Sequence, residues 1–217
     1  MFPPTIQKLI EIFSKFPTIG PRTAARFVFY LIETPNEKIE ELIKSISDLK
    51  EKIKICSFCF NSFEPEFFEL GKKEKEICPF CSDNSRDKTV VCIVAKEADL
   101  EAIEKTKQYK GLYFVLGGMT TGIFNKEKKE EMEQKVDALI ERIKKSEPKI
   151  KEIILAINST VEGESVCFWL QRKFKILACA GEGDSVKIVQ LGRGLPLGGE
   201  LEYADEETLS SALENRK

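Results

Sequence analysis

Cys56-Ser57-Phe58-Cys59 and Cys78-Pro79-Phe80-Cys81 stand 18 residues apart in a chain of 217, and this pair of hooks decides how the chain is divided. Each Cys-x-x-Cys hook curls two sulfurs toward one point, and two hooks complete a tetrahedron around a single ion. Four thiolates leave no open coordination position. The spacing therefore predicts one structural Zn²⁺ per chain, held by Cys56, Cys59, Cys78 and Cys81. The alternatives are two disulfides or four unrelated thiols. Disulfides need an oxidising compartment, to which nothing in the sequence points. The total of seven cysteines is also odd, which argues against a disulfide framework. Cys92, Cys167 and Cys179 lie in apolar stretches and read as buried thiols.

The residues after Met1, Phe2-Pro3-Pro4-Thr5-Ile6-Gln7-Lys8, supply neither a basic segment nor an apolar core, so no secretory leader is expected. No apolar run approaches the roughly 20 residues of a membrane span. A cytoplasmic protein with no membrane partner follows as the expectation. Histidine is absent, which excludes Ser-His-Asp and Cys-His catalysis and His-ligated catalytic metals. Any chemistry must run on carboxylates, Lys, Tyr, Ser or Cys. The formal net charge is −2, unevenly spread: residues 1–55 carry 9 Lys/Arg against 7 Asp/Glu, and residues 198–217 carry 2 against 6. A nucleic-acid binder with this balance must gather its basic residues on one surface.

N-terminal to the hooks, apolar residues recur at helical spacing. Ile6, Leu9, Ile10, Phe13 and Phe16 predict a helix over 5–16, stopped by Pro17-Thr18-Ile19-Gly20. A second helix is expected from Pro21, since proline suits the first helical position. It carries Ala24, Ala25, Val28, Leu31 and Ile32 inward and ends before Pro35. A third, about 37–52, repeats Ile39, Leu42, Ile43, Ile46, Leu49 and Ile53.

C-terminal to the hooks the pattern alternates. Buried strands are expected at 89–94, 112–116 and 152–157, with helices at about 97–107, 127–145 and 163–174. Shorter strands are expected at 175–179 and 186–190, and a short polar helix from about Asp205. Alternating strand and helix implies a mostly parallel sheet covered on both faces. The fold class is thus a multidomain mixture of α+β and α/β. Residues 1–54 form a helical domain, 55–86 a zinc finger, 87–180 an α/β domain and 181–217 a short C-terminal segment.

Two stretches carry functional chemistry. Phe16-Pro-Thr-Ile-Gly-Pro-Arg-Thr-Ala-Ala-Arg26 resembles a helix-hairpin-helix, in which a tight turn presents backbone N–H groups at a helix N-terminus to a phosphate. Arg22 and Arg26 are four apart, on one helical face, and can reach neighbouring phosphates of DNA irrespective of sequence. An ordinary helical hairpin with two solvated arginines is the competing reading. The usual motif has Gly where this chain has Thr18.

Asn158-Ser-Thr-Val-Glu-Gly-Glu164 follows a buried strand, the usual place for a ligand in an open parallel sheet. It resembles the Asp-x-Asp-x-Glu-Gly-Glu stretch of Toprim domains, whose two Asp residues hold Mg²⁺ for phosphoryl chemistry. Here those positions are Asn158 and Thr160, and neutral side chains hold a hard dication far less well. The other Toprim acid belongs at the end of the first strand, where this chain has Ala95; Glu97 and Asp99 are out of register. Glu162 and Glu164 remain, as a degenerate site, a partner site, or simply acids favoured at a helix start. The Gly-rich stretches at 181–183 and 192–199 match no nucleotide-binding motif and read as turns.

Helix-hairpin-helix, four-Cys module, degenerate Toprim and then Gly192-Arg-Gly-Leu-Pro-Leu-Gly-Gly-Glu-Leu-Glu-Tyr203 together resemble the bacterial RecR family of recombination mediators. The resemblance covers nearly the whole chain. It implies a non-enzymatic DNA-repair protein that forms a ring-shaped homo-oligomer. Such a protein acts with RecO and RecF to load recombinase onto single strands coated by single-strand-binding protein. Arg22 and Arg26 would be its DNA-facing residues. The competing readings are a Mg²⁺-dependent Toprim nuclease or topoisomerase-like enzyme using Glu162, Glu164 and Asp99, and a protein-protein adaptor that never touches DNA.

Overall fold

The structure is a computed structural model, and it describes residues 2–65, 77–117, 126–178, 186–192, 195, 198 and 200–214. The chain divides into two compact units, residues 1–53 and 54–217.

The first unit is three helices: α1 (Pro4–Phe13), α2 (Pro21–Glu33) and α3 (Asn36–Lys52). α1 and α2 pack as a hairpin, with Ala24 and Val28 of α2 buried. Phe13 meets Phe16 and Phe27 edge-on, at centroid distances of 5.7 and 6.1 Å. α1 stops at Phe13, short of the expected Phe16, because the chain tightens there: the Lys15 and Phe16 amides donate three residues back, to the Ile12 and Phe13 carbonyls. Ile32, expected inward, is exposed instead, and Leu31 is half-buried. α3 buries no residue, and its Leu42, Ile43, Ile46 and Leu49 are exposed.

The second unit opens with a two-residue antiparallel pair, β1 (Lys54–Ile55) and β2 (Ser62–Phe63), and a single helical turn, α4 (Pro79–Ser82). A four-stranded, all-parallel sheet follows, in the order β4-β3-β5-β6, from β3 (Asp87–Val94), β4 (Gly111–Val115), β5 (Glu152–Ala156) and β6 (Lys187–Gln190). α5 (Glu97–Lys105) links β3 to β4, α6 (Lys126–Lys145) precedes β5, and α7 (Val161–Ala178) links β5 to β6. A 3₁₀ turn (Leu201–Tyr203) and α8 (Glu206–Glu214) complete the chain.

The sheet separates two cores. Val91, Ile93, Leu112, Phe114, Ile153 and Leu155 point to one face, where α6 and α7 add Val136, Leu139, Val166, Leu170 and Phe174. Cys92, Val94, Tyr113 and Val115 point to the other, where α5 adds Leu100. The period-2 alternation of strand side chains makes this division. The expected strand at 175–179 is a correction: residues 175–178 continue α7 as helix. Val166, Leu170, Phe174 and Leu177 are all buried at spacings of four, four and three, a helical stripe that overrides the short apolar run. Cys179 and the glycines at 181–183 lie outside the described residues.

Candidate metal centre and nucleic-acid interface

The two hooks converge. The Sγ atoms of Cys56, Cys59, Cys78 and Cys81 all lie within 4.8 Å of one another, and those of Cys59 and Cys78 are 3.4 Å apart. A Zn–S length of about 2.3 Å requires sulfurs about 3.8 Å apart at the corners of a tetrahedron, which this cluster matches. The first three cysteines are buried and Cys81 is half-buried. Cys56 Sγ accepts from the backbone N–H groups of Phe58, Cys59 and Cys78, at 3.4, 3.5 and 3.3 Å, an arrangement that favours its thiolate. The sulfurs also hydrogen-bond one another. Contact with Cys59, then with Cys78 and Cys81, drives Cys56 far below the usual thiol range. Contact with Cys56 first of all pushes Cys59 and Cys81 up. Cys78 is raised by Cys56 but lowered by Cys59 and Cys81, and settles at about 7. Four converging sulfurs that share protons this closely are a donor set for a borderline-soft dication, which would take the protons' place. The cluster fits a closed metal site.

Each hook grips a different face of the sheet. The Val115 N–H on β4, an edge strand, donates to the Cys59 carbonyl at 2.8 Å. Phe58 and Phe60 of the first hook pack against the α6/α7 core, and Phe60 meets Phe114 edge-on at 5.4 Å. Phe60 holds a φ of 60°, a left-handed turn that swings its ring under the sheet while its N–H bonds the Cys56 carbonyl. Phe80 of the second hook packs on the opposite core, 5.9 Å from Tyr113. Two arginines fix the grip. From α6, Arg142 donates to the Phe58 carbonyl and, at 2.6 Å, to that of Ser57, with its guanidinium over both Phe58 and Phe60. On the other face Arg86 lies 4.9 Å above the Phe80 ring. It also donates to Glu104 at 2.9 Å and to the Gly111 carbonyl at 3.0 Å.

In the helical unit, the turn after α1 depends on Thr18, whose φ is 64°. That is where glycine is at ease and a β-branched residue is strained. The departure from the usual Gly thus falls at the residue that needs glycine's conformation. Gly20 is extended at the N-cap of α2, and Pro21 occupies its first turn. Arg22 and Arg26 follow on the outer face. Both are exposed, and no acid pairs with either among the described residues.

The degenerate Toprim position lies at the carboxyl end of the sheet. Parallel pairing of Val94 with Ala156 sets Ala95 and the Ile157–Thr160 loop side by side. The Thr160 hydroxyl accepts from the Gly163 N–H at 3.1 Å, so it caps α7. A β-carbon at Gly163 would run into the Asn158 carbonyl, which explains the glycine by close packing. Glu162 and Glu164 are exposed in the first turn of α7. Glu97 and Asp99 are occupied elsewhere: Ser62 donates to Glu97 at 3.1 Å, and the Lys96 N–H donates to Asp99 at 3.2 Å. Among the described residues, the four cysteines alone form a group that could share an ion. Arg86 and Arg142 were not singled out from the sequence. Their hydrogen-bond partners lie 18 to 85 residues away, and no local pattern announces them.

Family profiles match along the chain: RecR, helix-hairpin-helix at residues 6–50, Toprim domain at 89–190, and RecR, C-terminal at 194–217. Over 212 residues the chain is 39% identical to Recombination protein RecR of Bifidobacterium adolescentis, covering 98% of this chain and 95% of that protein. It is 40% identical over 213 residues to Recombination protein RecR of Chloroherpeton thalassium, covering 97% and 95%. The same-named protein of Chloroflexus aggregans is 40% identical over 215 residues, covering 98% and 93%. The chain belongs to the RecR family of recombination proteins.

Proposed function

We propose that this protein is a non-enzymatic, DNA-binding recombination mediator in DNA repair. It acts with RecO and RecF to load recombinase on single-stranded DNA. Identity of 39–40% to recombination proteins over nearly the whole length carries this reading. In it, Arg22 and Arg26 hold DNA phosphates beside the hairpin turn. One structural zinc per chain sits on Cys56, Cys59, Cys78 and Cys81, and supplies folding energy rather than chemistry. Glu162 and Glu164 present an acidic partner surface at the sheet's carboxyl end. The four domains are residues 1–54, 55–86, 87–180 and 181–217, and the protein works in the cytoplasm.

One hairpin touches few phosphates, and non-specific contacts of that kind are weak, about 10⁻⁴ to 10⁻⁶ M at physiological salt. Several copies acting on one DNA molecule overcome this, because later contacts become intramolecular. A closed homo-oligomeric ring meets that need. The uncovered apolar residues of α3 favour assembly, since exposed patches of this kind mark interaction surfaces.

Against the enzyme reading, a methyl, an amide and a helix-capping hydroxyl stand where Toprim carboxylates would organise Mg²⁺. Electrophoretic mobility shift with wild type and Arg22→Ala/Arg26→Ala tests the mediator reading. The double variant should keep its oligomeric mass and lose DNA affinity. Equal affinity at the same salt would exclude the hairpin as the DNA contact.

A further inference from the structure

We infer that the outer face of α2 reads unpaired DNA specifically, with Tyr30 stacking on a base while Arg22 and Arg26 hold the adjoining phosphates. This rests on the reading of the hairpin as a DNA-binding surface, and it adds the substrate class: single strand over duplex.

Residues four apart share a helical face, each step rising about 6 Å along the axis. Arg22, Arg26 and Tyr30 therefore form a continuous row of two cations and one aromatic ring. The face opposite carries Ala24 and Val28, which are buried, so the row faces solvent. Tyr30 is 69% exposed. No hydrogen bond or ring contact holds its side chain among the described residues; beyond the helix ladder, its carbonyl accepts from the Thr34 hydroxyl at 2.8 Å. Its neighbour Phe29 is occupied, edge-on to Phe2 at 5.5 Å. A large ring held in water beside two unpaired guanidiniums has the components of a single-strand site. Cations track the backbone, and an aromatic face accepts any base. Tyrosine has only two side-chain torsions to fix, so ordering it on binding costs little.

A duplex engages the two arginines through its phosphates but gives the Tyr30 ring nothing to stack on. There the base faces are covered by their neighbours, and only phosphates and groove edges are offered. Glu33, one turn beyond Phe29, ends the face with a carboxylate that repels a further phosphate. The site therefore takes one base past Arg26.

The test uses the full-length protein, labelled oligo-dT of about 20 nucleotides and a duplex of the same length, read by fluorescence anisotropy at low salt. Tyr30→Ala should weaken oligo-dT binding about five- to a hundredfold, the range for truncating one stacking aromatic. Duplex affinity should stay within about twofold. Tyr30→Phe, which keeps the ring, should match wild type. A 2-aminopurine base in the oligonucleotide should be quenched by wild type and not by Tyr30→Ala. Unchanged oligo-dT affinity in Tyr30→Ala overturns the inference, as does an equal loss on both DNAs. A fall in oligomeric mass also overturns it, because the face is then a contact between copies. Arg22→Ala/Arg26→Ala separates the two levels. If it loses affinity for both DNAs while Tyr30→Ala loses neither, stacking alone fails; if it loses neither, the hairpin reading itself fails.

Discussion

The N–H of Val115 donates to the carbonyl of Cys59 at 2.8 Å, so the sheet's edge strand and the four-cysteine cluster share a backbone hydrogen bond. An uncovered edge strand offers its N–H and C=O groups to other chains. Here the first hook occupies that edge, and the aromatic residues of the two hooks close on opposite faces of it. The cysteine cluster and the sheet edge are thus one mechanical element.

Purified protein should carry about one zinc per chain, and Cys78→Ser should lose it. Because metal-binding energy is folding energy at such sites, the loss should appear as faster hydrogen exchange at the Val115 amide before global unfolding. A metal-free protein with that amide fully protected would refute the coupling.

Arg142→Ala should destabilise the protein by about 2–3 kcal/mol, because two carbonyls of the first hook lose a charged donor. Arg142→Lys should recover only part, since one ammonium does not reproduce a planar fork spanning both. Urea denaturation of the three proteins checks this. Equal midpoints for Lys and Arg would show that charge alone matters there.

The opposite grip makes a pH prediction. Burial raises the Glu104 carboxyl, but the Arg86 hydrogen bond, the nearby Tyr113 hydroxyl and the Arg86 charge outweigh it and leave the pKa below the usual range. A depressed folded-state pKa means that the pair's stabilisation is present above the unfolded pKa. It is lost as pH falls through the folded value. Other groups protonate in the same window, so the informative quantity is the stability of wild type minus that of Glu104→Gln. That difference should be positive at pH 7 and shrink as pH falls through the depressed folded value. A difference that does not change with pH would mean the ion pair contributes nothing.

Much of this architecture was legible in the residues themselves. The hook spacing announced the cluster, and the β-branched runs at 89–94 and 152–156 announced strands, because both signals are local. The grip on the sheet was not legible. Phe58 and Phe80 look alike within their hooks, and only the fold sends them to opposite cores. The stretch at 175–179 misled because the four apolar residues after Lys175 are too few to reveal a period; the helical stripe shows only when followed back to Val166. Thr18 was visible as a departure from Gly, but its left-handed backbone was not.

Thr18 itself is testable. A left-handed backbone costs a side-chain-bearing residue about 1–2 kcal/mol, partly offset in Gly by the greater freedom of the unfolded chain. Thr18→Gly should therefore stabilise the helical unit by up to about 1 kcal/mol and preserve DNA binding. Thr18→Pro, locked near φ −65°, should break the turn and abolish binding. Tight binding by the proline variant would show that the turn geometry is irrelevant to DNA contact.

The salt dependence of binding can count the copies that touch one DNA molecule. Each phosphate contact to a single strand contributes about −0.7 to the slope of log affinity against log salt. Two arginines per chain thus contribute about −1.4 for each engaged chain. The difference in slope between wild type and Arg22→Ala/Arg26→Ala, divided by that value, gives the number of chains in contact. A ring that lays its hairpins along a shared path should give a difference of about −3 or steeper, from two or more chains. A difference near −1.4 would mean that one hairpin acts alone. Assembly would then contribute nothing to affinity through multiple contacts, and the argument for a ring on DNA would fail even though the arginines bind.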